Sequence, residues 1–158
     1  MVPLDHTGGK PFDEKNLTGL RLLNQLQILE SIQSRIDSVI TDVQGALLAE
    51  LEDRELDAAQ KLKDISLRAA GTLAGVVLER HLQRLAQAHG VVAKKNPTIA
   101  DLNDPLKQHS IYGVAVWRKI QYLADIRNLC AHKKNEEATE EQVSELIDGV
   151  NGIVKTVH

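Results

Sequence analysis

Apolar residues in the first third of the chain recur at intervals of three, four or seven positions, as on one face of an α-helix. This apolar stripe begins at about Leu20 and includes Leu22, Leu26, Leu29, Ile36, Ile40, Val43 and Leu47. A polar residue, Gln33, occupies one place within the stripe. The spacing predicts a long amphipathic helix over residues 20–55, with an apolar face that packs on a helix of this chain or of a partner. We expect residues 1–19 to be a loose N-terminal tail.

The stripe lapses over residues 50–57, which contain five acidic residues and Arg54. This lapse predicts a turn or kink, with Asp57 as an N-cap and Gln60 three residues later. Because neither Gly nor Pro occurs there, one continuous helix is the alternative.

Helical spacing also covers most of the remaining chain. A second helix is expected over residues 58–88, ended by Gly90, and a short one from Ile99, capped by Thr98. Longer helices are expected over residues 112–131 and 140–157, the last opened by a capping box of Thr139 and Gln142. No run alternates as a strand would. The predicted fold is an all-α, up-and-down helical bundle of four to five helices, with its core in residues 56–158.

Two glycines in the second helix, Gly71 and Gly75, lie four residues apart and therefore share one face. Glycines spaced in this way allow a neighbouring backbone to approach closely. We interpret them as a packing surface rather than as a phosphate-binding loop.

Charge narrows the range of functions. The 158 residues include 19 Lys and Arg against 22 Asp and Glu, a net charge of −3, which excludes a globally basic nucleic-acid binder. The segment 107–134 is locally basic, with Asp125 as its single acid; its bases are Lys107, Arg118, Lys119, Arg127, Lys133 and Lys134. Two explanations are open: complementarity between these charges and the helix dipoles, or a basic cleft for a phosphodiester backbone.

The sequence gives little indication of a metal site, a disulfide bond or a membrane-spanning segment. Cys130 is the single cysteine, and the histidines include no pair spaced by four residues, so we expect no metal and no cofactor. No apolar run is long enough to span a membrane, and the first ten residues lack the apolar segment of a signal peptide. We expect a cytoplasmic protein.

The candidate catalytic residues lie near the end of the third long helix and are Arg127, Asn128 and His132. Asn128 and His132 are four residues apart, so the amide is placed to orient the imidazole. Arg127 lies about 140° around the helix from His132, which a two-fold pairing of two copies would compensate. The structural alternative is that Arg127 bonds an acid such as Glu79 while His132 bonds terminal helix carbonyls.

Arg127-x4-His132, placed after Ile126 in a penultimate helix, resembles the motif of the HEPN (higher eukaryotes and prokaryotes nucleotide-binding) domain family. Residues 75–82 resemble the acidic helix that precedes this motif, and residues 98–102 resemble the short connecting helix. The resemblance covers about residues 58–157.

The resemblance implies a metal-independent endoribonuclease that acts as a homodimer and cuts RNA by attack of the 2′-OH on the adjacent phosphate. His132 would move the proton, Arg127 would stabilise the phosphorane and Asn128 would orient His132 or donate to phosphate. Lys133, Lys134, Arg118 and Lys119 would hold the RNA backbone. Family members act in defence and stress, or as toxins held by an antitoxin. The alternative is a non-catalytic dimerisation or adaptor module for a protein or nucleotide partner.

Overall fold

The computed structural model describes residues 14–132 and 137–157, with side chains from residue 18 onward. These residues form five α-helices and no strand, which confirms the all-α helical bundle. The helices are α1 (Glu14–Leu62), α2 (Leu67–Ala88), α3 (Ile99–Gln108), α4 (Val114–Ala131) and α5 (Glu140–Thr156). Over the described ranges, no helix is both long and apolar enough to cross a bilayer.

The turn predicted within residues 50–57 is wrong, because α1 continues through this segment to Leu62. Asp57 is an exposed residue inside α1 rather than an N-cap. The chain turns instead at residues 63–66, and Ser66 caps α2 by accepting a hydrogen bond from the N–H of Ala69 at 3.3 Å. The lapse in the stripe did not mark a helix end because a polar residue, Glu52, occupies a buried position on α1.

Glu52 is 2% exposed and accepts a hydrogen bond from the guanidinium group of Arg84 on α2. Burial raises the pKa of Glu52, and the positive charges of Arg84 and Arg80 oppose that rise. The buried His81 ring completes the network: its Nε2 lies 2.9 Å from the carbonyl oxygen of Val157, and its Nδ1 lies 3.2 Å from Arg84. A carbonyl can only accept, so we assign the ring proton to Nε2. These hydrogen bonds connect Glu52 of α1, and Val157 directly after α5, to α2.

The chain divides into two compact units between Ala46 and Leu47. In the first unit, every side chain of residues 18–46 is exposed, including the apolar stripe. The second unit contains the end of α1 and all of α2 to α5. The part of α1 in the second unit contributes the buried residues Glu52, Leu56 and Ala59.

In the second unit, α2 packs against α3, α4 and α5, and α4 packs against α3 and α5. The largest fully buried side chains include Leu78 and Leu82 of α2, Ile120 and Leu123 of α4, and Leu146 of α5. Burial of branched side chains at helical spacing is the main stabilising contribution of such a core, at about 1.5–3 kcal/mol for each side chain.

The predicted helix ends are largely confirmed. Gly90 follows α2 with φ of 65°, and the N–H of Val91 donates to the carbonyl of Ala86 at 2.8 Å, which completes a Schellman motif. Capping boxes open α3 at Thr98 and α5 at Thr139. Pro105 lies inside α3, three residues before its end.

The predicted packing role of Gly71 and Gly75 is confirmed, although the atoms of α4 that lie nearest to them belong to side chains rather than to the backbone. Both glycines are buried where α2 meets α4. A methyl group on Gly71 would collide with Sγ of Cys130 and lie 2.9 Å from its Cβ. A methyl group on Gly75 would collide with Cγ of Arg127. The absence of side chains at these two positions therefore sets the separation of α2 and α4.

We predict that Gly71→Ala lowers the free energy of unfolding by about 1–3 kcal/mol, because the added methyl group overpacks the contact between α2 and α4. Gly152→Ala in α5 is the matched control: the nearest atom to its methyl group would be Nζ of Lys119, at 3.5 Å. The control should raise the free energy by up to about 1 kcal/mol through helix propensity. Urea unfolding measures both, and equal effects from the two variants would contradict the close-packing account.

Candidate functional site

An open cleft of about 690 Å³ lies between α2, the start of α3 and one face of α4. Its lining combines uncharged polar side chains with apolar and charged ones. The lining residues are Glu79 and Gln83 of α2, residues 96–100 and Asn103 at α3, and Gln121, Ala124, Asp125, Arg127, Asn128 and His132 at α4. Arg127, Asn128 and His132, which the sequence predicts as a site, therefore share this cleft.

Arg127 reaches the cleft across the surface of α2. Its aliphatic carbons lie against Gly75, within about 3.2 Å of where a methyl group would stand. Its Nη2 atom lies 3.5 Å from Oε2 of Glu79, and its Nη1 donates to Oδ1 of Asn128 at 3.4 Å. Both contacts are longer than the typical N–H···O distance of about 2.9 Å. Buried Nε has no hydrogen-bond partner within residues 14–132 and 137–157. The guanidinium group is thus positioned by α2 but keeps unused donor capacity.

His132 is the C-cap of α4 and leaves the helix with extended backbone angles, φ −107° and ψ 136°. Its backbone N–H donates to the carbonyl of Asn128 at 3.1 Å, and its side chain is exposed at the cleft. The structure gives Asn128 a side-chain hydrogen bond to Arg127. In the described part of the chain, no hydrogen bond joins the Asn128 amide to the His132 ring. The 140° offset expected for a continuous helix does not apply, because His132 stands beyond its last turn.

Arg68 of α2 caps the C-terminal end of α4 beside His132. Its Nε donates to the carbonyl of Cys130 at 3.1 Å, and its Nη2 donates to the carbonyl of Ala131 at 3.4 Å. A cation at this position also complements the negative end of the helix dipole. Arg68 thus occupies the structural role that the sequence offered as the alternative for His132, namely hydrogen bonding to terminal helix carbonyls.

The segment that begins α3 forms another wall of the cleft and is held by Asp101. The Asp101 carboxylate bonds Lys94 at 2.8 Å and accepts from both the N–H and the hydroxyl group of Thr98. These bonds, that of Lys94 first, lower the pKa of Asp101 from 3.8 to about 2. Ionised Asp101 consequently stabilises the folded chain above its ordinary pKa, and this contribution is lost as the pH falls towards 2.

The basic residues of the predicted RNA path do not all meet in the cleft. Lys119 lines a different depression, beside Tyr122, Glu145 and Asp148. Arg118 is exposed on α4 and does not line the cleft. Lys133 and Lys134 lie outside the described residues. Among the described lining residues, Arg127 is the one Lys or Arg, and it is accompanied by two acids.

Several lining groups were not found from the sequence. Gln83, Gln121 and Asn103 lie far apart along the chain, and no local spacing connects them. Asn103 is buried: its Nδ2 donates to the carbonyl of Trp117 at 3.0 Å, and its Oδ1 accepts from the Tyr112 hydroxyl at 2.7 Å. Burial raises the pKa of Tyr112, which keeps this hydroxyl group a donor. The signal available in the sequence was a polar Asn placed among the apolar positions of a predicted helix.

A scan against models of protein families, a search of curated proteins and a search of solved structures each find no match to this chain.

We predict that Arg127→Ala lowers the free energy of unfolding by about 1–2 kcal/mol, because the lost aliphatic stem packs on Gly75. His132→Ala should change it by no more than about 0.5 kcal/mol, since the ring is exposed at a helix end. Arg127→Met is the matched variant, because it keeps the stem and removes the charge. Urea unfolding of the three variants checks the order, and a loss in Arg127→Met equal to that in Arg127→Ala would assign the effect to charge.

Proposed function

We propose that this chain is a metal-independent endoribonuclease of the HEPN type, which cuts RNA by transesterification of the 2′-OH and acts as a homodimer. The observation that carries the proposal is the shared cleft of Arg127, Asn128 and His132, in which the guanidinium group is held by long contacts. The guanidinium group of Arg127 is planar and positively charged, and these two properties suit it to bind a phosphate group.

The contacts of Arg127 are long enough for a phosphate group to replace its present hydrogen-bond partners. Glu79 and Asn128 hold its guanidinium group at 3.5 Å and 3.4 Å, so a phosphate oxygen could replace long bonds with shorter, charge-assisted ones. Gly75 matters for the same reason, since it leaves room for the stem and directs the charged end into the cleft. In this proposal Glu79 is a positioning residue for Arg127.

The proposed reaction needs a proton acceptor, a cation and a proton donor. The RNA 2′-OH loses its proton to an imidazole, and the 2′ oxygen forms a bond to the adjacent phosphorus atom. The bond from phosphorus to the 5′ oxygen then breaks, and that oxygen takes a proton, which leaves a 2′,3′-cyclic phosphate and a 5′-OH. His132 serves the proton transfers, and Arg127 stabilises the negative charge of the phosphorane.

Homodimerisation is proposed because two proton transfers occur on opposite sides of one phosphorus atom, whereas each chain supplies one His132. A two-fold axis beside the cleft would bring two copies of the motif together. The two acids of the cleft, Glu79 and Asp125, make the electrostatic contribution of Lys133 and Lys134 important to RNA binding in this proposal. A toxin restrained by a cognate antitoxin would use the same residues, and growth arrest on expression would indicate that context.

We predict that the purified chain cuts a mixed RNA pool in the presence of chelator and leaves 2′,3′-cyclic phosphate ends. His132→Ala and Arg127→Met should each lower the cleavage rate by roughly 100-fold or more, through loss of the proton carrier and of the cation. Mapping of the fragment ends, together with initial rates, measures both effects.

His109→Ala is the matched control for this assay, because His109 is exposed at the end of α3 and does not line the cleft. Its cleavage rate should equal that of the parent chain. Cleavage that requires magnesium, or that persists in His132→Ala, would contradict the proposed mechanism.

A non-catalytic adaptor module is the second candidate function. The observation that favours it is the apolar stripe of α1, which is exposed along its length in residues 18–47 and is available to a partner. An RNA pool that stays intact with the parent chain and all its variants, combined with stable association through α1, would favour the adaptor.

A further inference from the structure

The exposed stripe of α1 has the repeat of a coiled-coil seam. One set of positions, spaced by seven residues, consists of Leu26, Gln33, Ile40 and Leu47. The second set, also spaced by seven, consists of Leu22, Leu29, Ile36 and Val43. The two sets alternate at intervals of three and four residues, as positions a and d of a heptad do. We call these eight residues the α1 seam.

The α1 seam is continuous in the structure. All its positions lie within one unbroken helix, and its apolar members are 49–61% exposed. An isolated helix gains little from such side chains in water, whereas a heptad seam is stabilised when a second helix covers it.

We propose that the α1 seam joins two copies of this chain in a parallel, in-register, two-stranded coiled coil. The inference rests on residues 18–47 and uses no residue of the cleft: the α1 seam holds the two copies together, and any contact between copies beside the cleft follows from that pairing.

The position of Gln33 favours a second copy in parallel register. In that arrangement each Gln33 side chain faces Gln33 of the second copy, and the two amides can bond each other. In the antiparallel arrangement that aligns the seam end to end, Leu22 faces Leu47, and Gln33 faces the apolar Ile36. A single polar residue at an a position fixes register in this way, because other registers leave its amide without a partner.

The flanking charges favour the same orientation. Glu30 and Asp37 both flank the seam at heptad position e. The antiparallel arrangement brings Glu30 of one copy alongside Asp37 of the other, and two like charges repel. The parallel arrangement places Glu30 beside Gln25 and Asp37 beside Ile32, so no like charges meet.

The apolar area is sufficient for a stable pair. Seven branched side chains on each copy, each covering on the order of 100 Å² on pairing, give about 1,400 Å² in all. Stable, specific interfaces bury about 1,200–2,000 Å² in total.

Light scattering on the full chain at micromolar concentration tests the proposal. We expect the mass of two chains for the parent and a twofold lower mass for Ile36→Asp, which places a charge in the seam. Ser31→Asp is the matched control, since Ser31 lies on the opposite side of α1 and an acid there is four residues from Arg35. It should keep the mass of two chains. Thermal unfolding of both variants checks that residues 47–158 remain folded.

Orientation is tested by Leu26→Cys under mild oxidation. A parallel pair brings the two new thiols within disulfide range, so a reducible species of two chains should form. An antiparallel pair holds them about 25 Å apart along the axis. The parent chain is the control, because Cys130 is 1% exposed and burial raises the pKa of its thiol.

Every other outcome overturns the proposal. A single-chain mass for the parent, or a two-chain mass that Ile36→Asp leaves intact, removes the seam as the interface. A mass of three or four chains removes the two-stranded form. A two-chain mass without cross-linking of Leu26→Cys removes the parallel register. None of these measurements uses RNA, so they are separate from a failure of the catalytic proposal.

Discussion

The close approach of α2 and α4 is the constraint on which the candidate site depends. Gly71 admits the sulfur atom of Cys130, and one turn further on Gly75 admits the aliphatic stem of Arg127. A larger side chain at either glycine would separate the helices, and the cleft lies between these same two helices. The packing that stabilises the core thus also determines where the guanidinium group of Arg127 ends. Because dense interiors transmit small displacements, the core and the cleft cannot be altered independently there.

Hydrogen bonds from polar side chains hold other parts of the helices in place beside the contact between α2 and α4. Arg68 binds the last carbonyls of α4 beside His132, Asp101 holds the start of α3, and the buried Glu52 connects α1 to Arg84. Each bond satisfies a group that would otherwise be costly to bury or to leave unpaired at a helix end. The cleft walls are consequently fixed by hydrogen bonds as well as by apolar packing.

The two proposals call for a second copy for different physical reasons. In the cleft, the chemistry needs two proton carriers around one phosphorus atom, and each chain supplies one His132. Along α1, a helix with an exposed heptad seam needs a second helix to cover its apolar side chains. The cleft itself is not strongly basic among its described residues, so in the catalytic proposal RNA binding relies on the additional charges of Lys133 and Lys134.

The amino-acid sequence by itself determined the all-helical class, the caps at Thr98 and Thr139, the glycine contact and the grouping of Arg127, Asn128 and His132, because helical periodicity and capping act within a few residues. The end of α1 was predicted wrongly because Glu52 is an acidic residue at a buried position, where the pattern would lead one to expect an apolar residue. Its partner Arg84 lies 32 positions further along the chain. The tertiary structure alone decided that Glu79 holds Arg127, that Arg68 caps α4 and that Lys119 faces α5. Such contacts depend on how helices pack, and no local spacing encodes them.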